Sequence, residues 1–146
     1  MHVRPLKTAT AVALTLAVLC VAAVAGLAAA AEARAAYFTS TPALSAAPQK
    51  DVPFRASGYI TPKSTAGSPA KVKIILWMRY GDGDDDYGVM DVYWAKVSKR
   101  AGGKPGSAYS ITITIPMKGD HGVQAIQYRG GKKVSSSKTT YFNVKP

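Results

Sequence analysis

The sequence is poor in the side chains on which most catalytic and metal sites depend. Its 146 residues hold one cysteine, Cys20, two histidines, His2 and His121, and one glutamate, Glu32. All of these except His121 fall within residues 1–35, which have the character of a leader. The rest of the chain therefore excludes a thiolate nucleophile, a disulfide framework, a cysteine-rich zinc site and a glutamate acid–base pair. We expect no enzyme activity and no cofactor.

Negative charge is also scarce. Nineteen Lys and Arg residues stand against eight Asp and Glu, a formal net charge of +11. Sixteen of the basic and seven of the acidic residues follow residue 35, which leaves that part at +9. Such a charge attracts polyanions over long range. The basic residues are spread along the chain, however, and the alternative is that they keep the surface of a small sheet soluble.

The first 35 residues are predicted to be a signal peptide. Arg4 and Lys7 precede an apolar or small, uncharged run over residues 8–31, as in the charged and hydrophobic regions of a secretory signal. Small residues at 31, 33 and 35 suit cleavage after Ala33 or Ala35. We expect a secreted, extracellular protein. The alternative is an uncleaved anchor on the exported side, since a bilayer requires about 20 apolar residues.

Residues 36–53 contain three prolines and no apolar period, and are predicted to be an Ala/Pro/Ser linker. From residue 54 onward every second residue tends to be apolar, which is typical of β-strands. The clearest segments are residues 71–80 and 109–115, and Ile113 in the second is predicted to be a core residue. Weaker segments cover 54–60, 89–97, 123–129 and 134–144. We predict an all-β domain over 54–146, an immunoglobulin-like or fibronectin-III-like antiparallel sandwich of six to seven strands.

Several short motifs occur in a recurring order. They are Ser57-Gly58-Tyr59-Ile60-Thr61-Pro62, then Val72-Lys73-Ile74 leading to Trp77, Tyr109-Ser110, Lys118-Gly119 before Val123-Gln124-Ala125, and Ser135-Ser136-Ser137 before Phe142 and Val144. This order resembles the immunoglobulin-like β-sandwich modules of secreted actinobacterial proteins. The resemblance implies an extracellular, non-enzymatic binding or spacer module. No catalytic residue carries over from it.

The candidate ligand-binding residues are Trp77, Lys73 and Arg79, which share the polar face of the strand predicted at 71–80. Exposed aromatic rings on a sheet stack on sugars and bind partner proteins. Trp94, which follows Met90 and Val92 at alternate positions, is predicted to be a core residue.

We therefore expect a monomeric module at the cell envelope that contacts an anionic wall polymer or glycan. The alternative is a secreted or membrane-anchored module with a specific protein partner. Specific nucleic-acid binding is not expected, and the membrane is contacted only through residues 1–35 if these are retained.

An acidic stretch, residues 81–88, interrupts the strand pattern. Asp82, Asp84 and Asp86 stand at alternate positions, as at the start of a calcium loop. Tyr87, however, occupies the place of the loop glycine, and Tyr93 that of the bidentate glutamate. We favour a solvated hairpin loop, for which Asp and Gly are preferred residues, and keep calcium as the alternative.

His121 next to Asp120 is the remaining candidate for acid–base chemistry. Neighbouring side chains in a strand point to opposite faces, so the two orient each other poorly. We expect His121 to be a hydrogen-bonded residue of a turn.

Overall fold

The computed structural model describes residues 37–83 and 86–146, so the predicted leader lies outside the described residues. This part of the chain forms nine β-strands and one short 3₁₀ turn, Ala101–Gly103. The strands are β1 (Phe38–Thr39), β2 (Ala43–Leu44), β3 (Phe54–Thr61), β4 (Ala70–Arg79), β5 (Tyr87–Lys99), β6 (Ser107–Ile113), β7 (Gly119–Arg129), β8 (Lys132–Ser136) and β9 (Thr140–Val144). No helix among the described residues has the length and hydropathy to cross a membrane.

The strands form two antiparallel layers that share β5. In one layer β3 pairs with β6, and β1 and β2 run along the free side of β3. In the other layer β4 lies between β5 and β7, and β8 and β9 both pair with β7. β5 pairs with β4 as far as Ala95 and with β6 from Lys96. The all-β prediction is confirmed.

The core lies between the two layers and follows from the alternation of apolar residues. In β4, Val72, Ile74 and Leu76 are buried while the residues between them are not. Opposite them, β3 and β6 contribute side chains such as Ile60 and Ile113, both also buried. Burial of one face of each layer supplies most of the free energy that holds the sandwich together.

The interpretation of residues 36–53 as a linker is wrong for the part that the structure describes. β1 and β2 add to the edge of β3, and Thr39 is buried. The Tyr109 hydroxyl donates to the Ser40 carbonyl oxygen at 2.7 Å, and Gln49 forms a parallel bridge with Lys145. Strands of two residues are too short to produce an apolar period, which is why the pattern did not reveal them.

The prediction that Trp94 is a core residue is also wrong, because a β-bulge reverses the alternation in β5. Leu76 pairs with Asp91, but the next residue, Trp77, pairs with Val89, so Met90 is an extra residue. A bulge of this kind shifts the residues on its two sides to opposite faces. Trp94 is consequently 55% exposed.

The segment predicted as one strand at 134–144 is divided in two. β8 and β9 pair with different halves of β7, and Ser137 between them is buried. The Ser137 hydroxyl accepts a hydrogen bond from the Ala125 backbone nitrogen at 2.9 Å. This division and the two N-terminal strands raise the number of strands from the predicted six or seven to nine.

Candidate functional site

The outer face of the β4–β5–β7 layer carries an exposed group of aromatic and basic side chains. Pairing places Lys73 of β4 opposite Trp94 of β5, and Lys71 opposite Tyr128 of β7. The Lys73 ammonium lies 5.2 Å from the centroid of the Trp94 ring and 5.0 Å from that of Tyr128. The two rings meet edge to face, with centroids 5.7 Å apart. A cation in contact with two rings holds both in place.

These side chains line a groove of about 450 Å³, here called the Trp94 groove. Its residues are Pro69, Lys71, Lys73, Trp94, Tyr128, Gly130 and Gly131. Gly130 and Gly131 have φ angles of 53° and 76°, a left-handed region in which glycine is favoured. They form the tight turn from β7 to β8, so backbone closes this end of the groove.

The Trp94 groove is electropositive. No carboxylate of the described residues lines it, and neither Lys71 nor Lys73 makes an ion pair with another residue that the structure describes. Cation–π contact leaves the ammonium protons of Lys73 able to donate to a ligand, since the ring faces take up only part of its coordination. The groove can therefore offer ring surfaces to the apolar side of a sugar or polyol and two cations to an attached anion.

Of the three predicted ligand residues, the structure brings Lys73 alone into this groove. Trp77 lies on the same face of β4 but opposite Val89 and Gly122. It is half-buried, and its indole Nε1 is buried without an acceptor among the described residues. The exposed indole on this face belongs to Trp94 and not, as predicted, to Trp77.

Arg79 is engaged within the protein. Its Nη1 donates to Asp120 Oδ2 at 3.2 Å, and its Nε and Nη2 donate to the carbonyl oxygens of Gly81 and Asp82 at 3.0 and 2.9 Å. A hydrogen bond from Asn143 lowers the pKa of Asp120, and the hydrogen bond and positive charge of Arg79 lower it further. Arg79 thus connects the β4–β5 loop to β7. Five residues of extended strand lie between it and Lys73, a distance of about 20 Å along the strand.

The acidic loop joins β4 to β5 as a hairpin. Asp84 lies outside the described residues, so the full set of calcium candidates is not placed. Asp86 is placed, and its Oδ2 accepts from the Gly83 backbone nitrogen at 3.0 Å. The guanidinium of Arg79 covers the carbonyl oxygens of Gly81 and Asp82. No three described acidic, cysteine or histidine side chains converge, and the calcium alternative stays a prediction.

His121 lies inside β7, so the expectation that it belongs to a turn is wrong. The ring is fully buried and stacks on Phe142, with centroids 6.0 Å apart. Its Nδ1 is 2.9 Å from the Gly119 carbonyl oxygen, and its Nε2 has no partner among the described residues. Asp120 bonds to Arg79 and Asn143 instead. The two side chains do not form an acid–base pair.

Sequence reasoning missed Trp94 and Tyr128 as partners of Lys73. Tyr128 precedes the Gly130-Gly131 turn on the outer face of its strand, a signal that alternation alone could have supplied. Trp94 could not be placed in that way because the bulge lies between it and Tyr87.

No family model and no curated protein matches the chain. Among solved structures, it is similar to a superoxide reductase (neelaredoxin) from Ignicoccus hospitalis, with 17% identity and a TM-score of 0.36. The match covers 73% of this chain and 80% of the other. A likeness of this size does not establish a shared fold or a shared activity.

Proposed function

We propose that this protein is a secreted, non-enzymatic module of the cell envelope that binds an anionic polymer or glycan in the Trp94 groove. The observation that carries the proposal is the exposed Trp94 ring beside Lys73 and Tyr128, in a groove that none of the described carboxylates lines. Exposed apolar surface rimmed by polar residues is typical of ligand grooves and partner interfaces, and an indole ring is a favourable stacking surface.

Two further features support this proposal. The predicted leader would direct the chain to the exported side, which is also what the resemblance to secreted immunoglobulin-like modules implies. The charge of +9 after residue 35 would draw a polyanion to the surface. The one imidazole of that part, His121, faces the core, which favours binding over catalysis.

Binding of a purified anionic envelope polymer to the exported protein tests the proposal. Replacement of Trp94 by Ala should weaken binding at least tenfold, because the stacking surface is lost. Tyr141→Ala is the matched control, since Tyr141 is 64% exposed on the same layer but lies outside the groove. Equal binding by wild type and Trp94→Ala would contradict the proposal.

A specific protein partner is the alternative, and one observation favours it. Val89, Val92, Trp94 and Tyr141 are each at least 45% exposed and lie on one layer. Retention on purified envelope material through a salt gradient separates the two functions. A polymer held by lysines should be released by moderate salt, whereas an interface with an apolar centre should survive it.

A further inference from the structure

A cleft extends from the Trp94 groove along β5, and its origin is the change of partner in that strand. After Ala95 pairs with Val72, β5 leaves β4 and pairs with β6 from Lys96. The start of β4 and the second half of β5 therefore separate. One depression there is lined by Lys71, Trp94 and Val97, and the next by Val97, Lys63 and Lys99. The shared lining residues make the depressions adjacent.

The far end of the cleft is a second basic groove of about 480 Å³. It lies between the β3–β4 segment and the turn from β5 to β6, and its cations are Lys63, Lys99, Arg100 and Lys104. The Arg100 guanidinium lies 3.7 Å from the centroid of the Tyr59 ring, and its Nη1 donates to the Pro105 carbonyl oxygen at 2.9 Å. Within residues 37–83 and 86–146, no carboxylate lines this end.

The wall that carries Lys63 is held in place from inside the protein. The buried guanidinium of Arg129 donates to the carbonyl oxygens of Pro62 and Ser68. The Ser64 backbone nitrogen donates to the hydroxyl of buried Ser107 at 2.9 Å. Binding of a ligand in the cleft would therefore order little of the protein backbone, which lowers the entropic cost of binding.

From these observations we propose that the Trp94 groove is one end of a continuous channel for a linear polymer with an anionic group in every repeat. This inference rests on the proposed function and names the ligand class more closely. From Trp94 to Lys99 the strand covers about 17 Å. Six cations line the whole course, namely Lys71, Lys73, Lys63, Lys99, Arg100 and Lys104.

The distribution of aromatic rings favours a polyol-phosphate or glycan polymer over single-stranded nucleic acid. Nucleic-acid strands bind by stacking successive bases on successive rings. Here the rings of Trp94 and Tyr128 lie at one end, while at the other end Arg100 covers Tyr59. A polymer with a saturated backbone needs charge along the channel and a ring at only one place.

The test compares a long poly(glycerol phosphate) with its dimer, which is too short to occupy both ends. The double variant Lys99→Gln/Lys104→Gln changes the far end. Lys118→Gln/Lys138→Gln removes the same charge from exposed positions outside the channel. All four lysines are exposed, so the fold should be retained, and the four single variants check this.

We expect the far-end variant to weaken binding of the long polymer at least tenfold and the control variant less than twofold. Dimer binding should be unchanged in both and lost in Trp94→Ala. The affinity for the long polymer should fall as the salt concentration rises, and it should fall less steeply in the far-end variant, because two of the six cations that face the polymer are removed.

If the far-end and control variants bind the long polymer equally while Trp94→Ala weakens it, the extended channel is overturned and the proposed function stands. If Trp94→Ala binds polymer and dimer like wild type, the proposed function itself fails. Tighter binding of an oligothymidylate of equal charge would overturn the choice of polymer in favour of nucleic acid.

Discussion

At the scale of the residue, the buried polar atoms of Trp77 and Tyr109 should affect the stability of the protein in different ways. The indole Nε1 of Trp77 is buried without an acceptor among the described residues. The hydroxyl of Tyr109, by contrast, reaches past β3 to the Ser40 carbonyl oxygen within the same layer. A buried polar group costs free energy when it lacks a partner and contributes when it has one. These two residues should therefore respond in opposite ways to substitution by Phe.

We expect Trp77→Phe to leave the melting temperature unchanged or slightly raised, because it removes the unpaired N–H and keeps an aromatic ring. Trp77→Ala should destabilise the protein by about 2 to 3 kcal/mol, since the half-buried side chain is lost. Thermal unfolding of both variants checks this. Loss of polymer binding in a folded Trp77→Phe variant would return Trp77 to the binding site.

The second residue-scale prediction concerns alkaline pH. Burial raises the pKa of Tyr109 from 10.0 to about 12. The folded protein keeps this proton to higher pH than the unfolded chain does. The contribution of Tyr109 to the free energy of unfolding is therefore complete below pH 10 and is lost as the pH rises through 12. Between pH 10 and 12 the free energy of unfolding should fall less steeply with pH in Tyr109→Phe than in the wild type. The two slopes should differ by up to about 1.4 kcal/mol per pH unit. Urea unfolding at pH 9, 10 and 11 measures the slope, and identical slopes would be the contrary result.

At the scale of the element, the two-residue strand β1 is held by more buried hydrogen bonds than its length suggests. With its amide oriented to satisfy its neighbours, buried Gln127 donates to the Phe38 carbonyl oxygen at 3.1 Å and accepts from Arg129 Nε at 3.1 Å. Thr39 bonds to Ser135 through their hydroxyls. β1 thus joins the edge of β3 to the β7–β8 hairpin, and it closes one side of the sandwich.

Replacement of residues 37–46 by a Gly/Ser segment of equal length should therefore destabilise the full chain. We expect a loss of about 2 to 6 kcal/mol, because a flexible Gly/Ser segment would not hold its carbonyl oxygens against the hydroxyl of Tyr109 and the amide of Gln127, whose lost hydrogen bonds cost about 1 to 3 kcal/mol each. Denaturant unfolding measures the effect. Unchanged stability would show that these residues are a linker after all.

The β4–β5 loop supports a prediction about metal ions. Arg79 already binds two of its carbonyl oxygens, so we expect calcium and magnesium only to screen the carboxylates, weakly and equally. A calcium-selective rise of several degrees in the melting temperature at millimolar ion, abolished by Asp84→Asn/Asp86→Asn, would instead demonstrate a site.

At the scale of the whole molecule, charge and topology act together. The described residues include five carboxylates, at Asp51, Asp82, Asp86, Asp91 and Asp120, and none of them lines the channel. The positive field is therefore not neutralised where the two layers separate. The same excess of charge should keep copies of the protein apart.

We accordingly expect a monomer in solution despite the exposed Val89, Val92 and Trp94. Sedimentation velocity at low and at high salt checks this, because high salt screens the repulsion between copies. A dimer at low salt would mean that apolar contacts outweigh the charge, and it would favour the protein-partner alternative.

The sequence by itself determined the fold class and most of the core. In β4, and from Tyr109 to Ile113 in β6, every second residue is apolar. Since side chains alternate across a strand, burial of Val72, Ile74 and Ile113 follows directly. Lys73 could be placed on the outer face for the same reason. These conclusions depend on neighbours within one strand, which the order of residues specifies.

Only the tertiary structure decided which side chains meet Lys73. A single extra residue, Met90, changes the face on which Trp94 lies, and the bulge exists because of how β5 pairs with β4. Tyr128 and the far-end cations come from strands and turns distant in sequence. The two-residue strands β1 and β2 are likewise held by partners far along the chain. Contacts of this kind depend on pairing and register, and local apolar periodicity carries no information about either.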